Sequence, residues 1–526
     1  MLPRNLRAPY WRLHAAAKGL RRAALAIPRA LTGARGTDAA DFDIGTLISL
    51  RQRYARMMRE NRDLFDPAVS VLEWDADTGG ITPFLARDVT SRAGSLAGVA
   101  DQGFDIVICA DRLHLLAKAD RLRALADLLR IARHKLLITC PSGPMAEEAQ
   151  AHLAETLAGM GRSIPDWLHS NLERGFPPIA SLLADLAGAG HVFTISVNES
   201  LNQYLAGHLL ERLLPFAAKL NGRQATKVAF EPAVGPAYFD YAHSYLITVD
   251  LQARPAPAEL LQREAAAGAA PVQLYSVYHR PWEMGHLGKI TPIFSGSAAD
   301  QAPEGALTDI TRTVPRLQNT RWSELSAYFR VWQEGPQSAI IGFSHYRRLF
   351  DFGTDTAGHA RPDQRETTIT TDELPGHAHR LYDAALIEAL DDNTILLPPP
   401  IELAETVWEH YHRRHTIGDY CRVVGRLSVK YPHLLVELPA QFEENLLYAN
   451  NMFIMRWQLF DEICGIWFDL LGEMAAELPN NRANDYQNRD VSFMAERIFD
   501  LWIRHKRREG LRLIETPILF IEPPKA

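Results

Sequence analysis

A chain of 526 residues, 47% hydrophobic and 23% charged, with a formal net charge of −7, exceeds a single hydrophobic core and is too acidic for wholesale nucleic-acid binding. No apolar run approaches the roughly 20 residues needed to span a bilayer. Its four cysteines, Cys109, Cys140, Cys421 and Cys464, lie far apart and match no metal-ligand spacing, so buried thiols in a reducing cytoplasm are expected.

The first 36 residues carry Arg4, Arg7, Arg12, Lys18, Arg21, Arg22, Arg29 and Arg35 and no acidic residue. Leu13, Leu20, Ala24 and Ile27 fit one face of an amphipathic helix. Such a basic helix can rest on an anionic surface, which would put the protein peripherally at the inner face of the plasma membrane. A disordered basic tail is the alternative.

From 37 to 251 the pattern alternates strand and helix. Residues 42–61 have helical spacing. VSVLE at 69–73, FDIVICA at 104–110 and LLITCP at 136–141 read as strands, with a helix near 118–133. That alternation predicts a parallel, doubly wound α/β sheet. The stretches VLEWDADTGGITPFL and FDIVICADRLHLLAKADRLRALADLLRIARHKLLITCP resemble class I S-adenosylmethionine-dependent methyltransferases, as does DWLHSNLERGFP. The resemblance implies a Rossmann-like methyltransferase fold, closed by antiparallel strands within 229–251. The family's loop reads E-x-G-x-G-x-G, whereas here Glu73 and Trp74 are followed by Asp75 and Asp77 where the first two glycines belong. Aspartates there add bulk and negative charge near the methionine carboxylate. The span from Gly79 to Phe104 is also short for a second strand ending in a ribose-binding acid, and Asp88 and Asp101 are weak substitutes. A degenerate domain that takes no S-adenosylmethionine is expected.

Residues 252–270, rich in Ala and Pro, read as a linker. Beyond it, 271–526 restarts with the strand VQLYSVY, ending at His279 and Arg280. NTRWSELSAYFRVW at 319–332 places Leu325, Tyr328, Phe329 and Trp332 at helical spacing, with Phe329 and Trp332 read as core. IIGFSHYRRLF at 340–350 is an apolar run, bounded by Gly342, that opens into His345, Tyr346, Arg347 and Arg348. Ligands of parallel α/β sheets bind outside the carboxyl ends of strands, and paired guanidinium forks suit phosphate.

These blocks, with LPPP, VWEHYHRRHTIGDY, YANNMFIMRWQLFDEICGIWFDLL and DYQNRDVSFMAERIFDLW, resemble a bacterial family of glycosyltransferase-like domains from capsular and lipopolysaccharide gene clusters. That family is similar to GT-A enzymes, and some members transfer galactofuranose. The resemblance implies an α/β protein of two domains, the second a GT-A-like hexosyltransferase. Its donor would be a UDP-sugar, with galactofuranose one candidate, and its acceptor a surface polysaccharide or lipid-linked glycan. An active methyltransferase on a glycan and a non-enzymatic assembly scaffold are the rival readings.

Most GT-A enzymes hold a metal on an Asp-x-Asp motif. Here the comparable strand end is basic, with no acid before Asp351, so metal-free stabilisation of the diphosphate is expected. His279, Arg280, His345, Tyr346, Arg347 and Arg348 are the donor-binding candidates, with His345 a candidate for a phosphate or a sugar hydroxyl. Glu324, Asp485 and Glu496 are the catalytic carboxylate candidates. Glu324 is preferred for its aromatic setting, and Glu496 has Arg497 beside it as an ion-pair partner. Asn451, Gln487 and Arg489 are candidates for sugar or acceptor contacts. Tyr411, His415 and Asp419 share a helix face, read as solvated rather than metal-binding.

Overall fold

In a computed structural model of the chain, the described residues are 53–522 apart from 75–79, 86, 214–240, 261–270, 281–286, 336–337, 354–364 and 479–485. The basic tail, Asp75, Asp77, Asp485 and the second half of the linker lie outside them. The chain divides into two compact units, Met1–Ala256 with Tyr411–Val429, and Pro257–His410 with Lys430–Ala526.

The first unit is built on β1 (Val71–Trp74), β2 (Thr90–Arg92), β3 (Phe104–Ala110), β4 (Ala132–Pro141), β5 (Val192–Ser200) and β6 (Ala242–Asp250), in the order β2-β1-β3-β4-β6-β5. Strands β1 to β4 run parallel, and β6 is antiparallel to both β4 and β5. Along β3, and over the second half of β4, the residues are buried on both faces, as near-continuous apolar runs in parallel sheets are. Cys109 and Cys140 are buried free thiols in these two strands. This is a parallel, Rossmann-like α/β sheet closed by antiparallel strands, as the alternation of strand and helix predicts.

Two features differ from the sequence reading. The 79–104 span does hold a second strand, because three residues suffice for the ladder from Leu72↔Thr90 to Trp74↔Arg92. It ends in Arg92 rather than an acid, with the guanidinium donating to the carbonyls of Ser95 and Ala97 at 3.0 and 3.1 Å. Asp88 precedes this strand, and Asp101 is paired with Arg130 at 2.5 Å.

The second difference concerns residues 411–429, expected in the second domain but packed in the first unit. They fall on two helices, Val407–Arg414 and Ile417–Lys430, rather than one, and the second buries Tyr420, Cys421, Val423, Val424 and Leu427. Ser428 Oγ donates to the Phe193 carbonyl and accepts from the Phe193 amide, both at 3.1 Å. The amide of Ala242 donates to His412 Nε2 at 2.7 Å. Tyr411, His415 and Asp419 are therefore buried, not solvated, with the Tyr411 ring against those of His415 and Tyr420.

The second unit contains β7 (Val272–Tyr278), β8 (Ile290–Phe294), β9 (Leu307–Thr308), β10 (Ile340–His345), β11 (Arg348–Phe350), β12 (Glu366–Thr370), β13 (Thr394–Leu397), β14 (Ile401–Glu402), β15 (Leu446–Leu447), β16 (Phe453–Arg456), β17 (Arg512–Glu515) and β18 (Ile518–Glu522). The main sheet runs β9-β8-β7-β10-β16-β13-β17, with β16 antiparallel to both neighbours and the other pairings parallel. Strands β11, β18 and β12 branch from the end of β10, while β14 and β15 pair separately. The second unit is a mixed α/β sheet.

Side-chain alternation gives this sheet two chemically different faces. Leu274, Ile340 and Ile454 join an aliphatic core with Leu349, Leu396 and Leu519. On the other face Tyr275, Phe343 and Phe453 pack with Tyr328, Phe460 and Trp467 from helices. Gly342 lies inside β10 rather than bounding it. A Cβ there would meet Ile454 Cγ1 and Leu274 Cδ2, both at 2.7 Å, so glycine lets β10 sit between β7 and β16. No helix among the described residues is long and apolar enough to cross a membrane.

Candidate functional site

The site starts from a break in a helix. NTRWSELSAYFRVW forms two helices, Asn319–Trp322 and Leu325–Glu334, because Ser323 between them takes φ 46°. Asn319 Nδ2 holds the break by donating to the Ser323 carbonyl at 2.7 Å and to Ser326 Oγ at 3.1 Å. A buried bidentate pair, Arg321 to Asp490 at 3.1 and 2.8 Å, ties the short helix to the start of the helix Asp490–Arg508. Phe329 and Trp332 pack on Phe468, as their spacing predicts.

Tyr328 then sets the position of Glu324, one turn ahead of it. The Tyr328 ring lies 4.1 Å from that of Phe343 in β10, and its hydroxyl donates to the Asn451 carbonyl at 2.9 Å. Glu324 is thereby held at the carboxyl end of β10. Its Oε1 accepts from Asn451 Nδ2 at 2.7 Å and from Ser492 Oγ at 3.4 Å. Desolvation raises its pKa, against the lowering pull of Asn451, its own backbone, Arg489 and Ser492.

Asn450 and Asn451 precede β16 with φ of 69° and 50°, a left-handed region that asparagine tolerates better than most residues. The turn is held from several sides. The Asn450 amide donates to Glu496 Oε1 at 3.4 Å, and its backbone favours the charged form of the His345 ring. Glu496 Oε2 is paired at 2.7 Å with Arg497, which is 1% exposed and also donates to His410 Nδ1 at 2.9 Å. Burial raises the Glu496 pKa; Arg497 opposes this and the Glu324 charge adds to it.

His345 and Arg348 are cross-strand partners, with Tyr346 and Arg347 forming the turn of a tight hairpin. Arg348 pairs in turn with Phe520, so His345, Arg348 and Phe520 share one face. Arg347 is committed elsewhere than the sequence suggested. Its Nε donates to the Ile521 carbonyl at 3.0 Å, and its guanidinium lies 4.7 Å from the Phe520 ring centroid. The hairpin geometry turns it toward β18.

His279, at the end of β7, meets the Tyr346 hydroxyl at 3.5 Å, with the two rings edge-on at 4.8 Å. Its pKa is lowered to about 4, by desolvation first and then by the charges of Arg489, His345, Arg280 and Arg348. Desolvation and Arg348 hold His345 down to about 3. Both imidazoles are neutral at pH 7. Arg280 and Arg489 are exposed, and Gln487 is buried in the turn Gln487–Arg489.

Glu324, Glu496, Asn451, His279, His345, Tyr346, Arg348 and Arg489 thus come together, while Arg347 bonds the Ile521 carbonyl and shares the Phe520 ring with Arg348, and Asp485 falls outside the described residues. Among the described residues no three His, Cys, Asp or Glu side chains gather as metal ligands. Asp351 is held by both Arg380 nitrogens Nε and Nη2 and accepts from the Gly353 amide at 2.9 Å.

Sequence reasoning missed Tyr328, Asn450, Ser492, and the Arg497–His410 link. An Asn-Asn pair ahead of an apolar strand is a readable left-handed turn signal. Tyr328 was hidden in an aromatic stripe that otherwise packs the core, and His410 lies 87 residues from Arg497, a separation without local signature.

Residues 273–507 match the family described as Domain of unknown function (DUF4422). No protein of curated function matches. Among solved structures, the chain is similar to the apo form of the WbbM bifunctional glycosyltransferase, at 24% identity over 48% of this chain and 45% of that chain, with a TM-score of 0.41. It therefore spans less than half of that protein. It is also similar to a SAM-dependent methyltransferase from Archaeoglobus fulgidus, at 12% identity over 38% of this chain and 94% of that chain, TM-score 0.22.

Proposed function

We propose that the second unit is a glycosyltransferase moving a hexose from a UDP-sugar to a hydroxyl of a glycan acceptor in surface-polysaccharide assembly, with galactofuranose one candidate sugar. The observation that carries this is Glu324. A carboxylate of raised pKa sits at the carboxyl end of the central strand, beside a basic rim. In the reaction Glu324 takes the proton of the acceptor hydroxyl, whose oxygen bonds to the anomeric carbon. The bond from that carbon to the diphosphate breaks, and UDP leaves with the electron pair. Glu496 is the poorer base, because Arg497 already neutralises it.

The diphosphate charge falls to Arg348, Arg489 and Arg280, with His279 contributing a neutral hydrogen bond. Fixed cationic donors of this kind do without a metal. Turnover, read as UDP release with a competent acceptor, is therefore expected to survive EDTA. Arg348→Ala and Arg489→Ala should each cost roughly a hundredfold in rate. Arg347→Lys should leave the rate near normal and cost about 1 kcal/mol of stability through the lost carbonyl bond and ring contact. Loss of turnover on chelation, with normal arginine variants, would send the diphosphate assignment back to a metal.

The first unit supports a binding or scaffolding role better than methyl transfer. Trp74 follows the conserved-type Glu73, and its Nε1 donates to the Gly94 carbonyl at 2.8 Å, folding the indole toward the segment where a ribose would be read. Glu73 is 1% exposed and spends its carboxylate on the Ile81 amide at 2.8 Å and on the Tyr54 hydroxyl. Calorimetric titration of the full chain with S-adenosylmethionine should show no binding; micromolar affinity would overturn the degenerate-domain reading.

A further inference from the structure

Two buried acceptor atoms in the site have no hydrogen-bond partner, His345 Nε2 and Asn451 Oδ1. Their identity as acceptors follows from what the rest of each side chain does. The Asn450 backbone acts on the His345 ring as an acceptor, and since Nε2 is the unpartnered nitrogen, we assign the proton to Nδ1, which leaves Nε2 a bare lone pair. The Asn451 amide nitrogen donates to Glu324 at 2.7 Å. A flipped amide would set oxygen against carboxylate, so Oδ1 points the other way. Asn451 is 0% exposed.

The two residues lie at the same end of the sheet. The β10–β16 ladder ends at Phe343↔Phe453; His345 lies two residues beyond it on one strand, and Asn451 lies two residues before it on the other, in the left-handed turn. Tyr328 and Glu496 hold that turn. Buried polar atoms in native proteins are nearly always satisfied, and an unpaired one asks for a missing partner. That partner must donate. A phosphate oxygen, which only accepts at neutral pH, would be repelled by both atoms and by the Glu324 carboxylate.

We propose that His345 Nε2 and Asn451 Oδ1 accept hydrogen bonds from a pair of hydroxyls on a sugar ring and select the sugar by its hydroxyl pattern. This rests on the glycosyltransferase reading above, and of the phosphate and the sugar it gives His345 the sugar. A site built to bond a hydroxyl rejects analogues that lack it, because its own polar atoms are then left unpaired. The hydroxyls belong to the transferred sugar or to the acceptor, and the two are separable by experiment.

The test is calorimetry and steady-state kinetics on the full chain, using UDP, a panel of UDP-hexoses, and monodeoxy analogues of the best donor and of the acceptor sugar. Wild type is compared with His345→Phe and Asn451→Ala. Wild type should bind the matching UDP-hexose at least tenfold more tightly than UDP, and lose at least tenfold on removal of one hydroxyl. Each variant should abolish the discrimination at one hydroxyl while UDP affinity stays unchanged. If the loss appears instead in acceptor KM and in the acceptor deoxy series, the hydroxyl pair is the acceptor's. Deoxy forms that all bind and react like their parents, in wild type alone, would overturn the proposal even if a variant failed to fold. So would variants that lose UDP and UDP-hexose equally. A chain that binds neither UDP nor any UDP-hexose sinks the glycosyltransferase reading and this inference together, an outcome distinct from the other two.

Discussion

Glu324→Gln is expected to lower kcat by about 10²–10⁴-fold, the usual worth of a positioned general base, with UDP affinity nearly unchanged. The substitution keeps shape and the acceptor oxygen that Asn451 Nδ2 bonds, so the loss would be chemical rather than structural. The pH profile separates the two. Because desolvation raises the Glu324 pKa, the acid limb of kcat should lie above the ~4.3 of a free glutamate, and the glutamine variant should lack that limb. Stability carries an independent sign. A carboxyl whose pKa is higher folded than unfolded keeps its proton in the folded state over the window between the two values. Stability therefore falls as pH rises through that window. At neutral pH the glutamine variant should melt no lower than wild type while being far less active. A normal kcat, or an acid limb that survives the substitution, would remove Glu324 from the chemistry.

Much of the frame was legible because it rests on local pattern. Apolar runs such as FDIVICA and LLITCP read directly as strands buried on both faces, and the polar ends of VQLYSVY and IIGFSH marked the site. What stayed hidden depends on partners distant in sequence. That Arg347 faces β18 follows from the β11–β18 pairing, which nothing near residue 347 encodes. The break at Ser323 was invisible because the flanking residues keep helical spacing across it, yet that break sets Glu324 at the strand end. The burial of His415 and Asp419 was missed for a related reason. A helix with charged residues reads as solvated until the surface that covers it is known, and here the strands that bond to the segment contact it across separations of 170 and 235 residues.

That packing predicts the fate of a truncation. Residues 37–256, cut where the first unit's N-terminal segment ends, should fail to fold cooperatively, because the segment 411–429 belongs to the same compact unit. Removing it strips Tyr420, Val423, Val424 and Leu427, all 0% exposed, from their contacts. At about 1.5–3 kcal/mol for each buried side chain, the loss approaches the roughly 5–15 kcal/mol that holds a whole domain together. It also unpairs the Ala242 amide from His412 and removes Ser428 from the Phe193 backbone. Joining 405–432 to the end of 37–256 through a flexible linker should restore a sharp thermal transition, followed by circular dichroism and near-ultraviolet signal. Within that fusion Ser428→Ala should lower the midpoint, since an amide and a carbonyl in β5 then lose their shared hydroxyl. A sharp, two-state unfolding of 37–256 alone, at the midpoint of the fusion, would show that the helix only decorates the first unit. The expected failure would instead make the first unit's core a product of both halves of the chain.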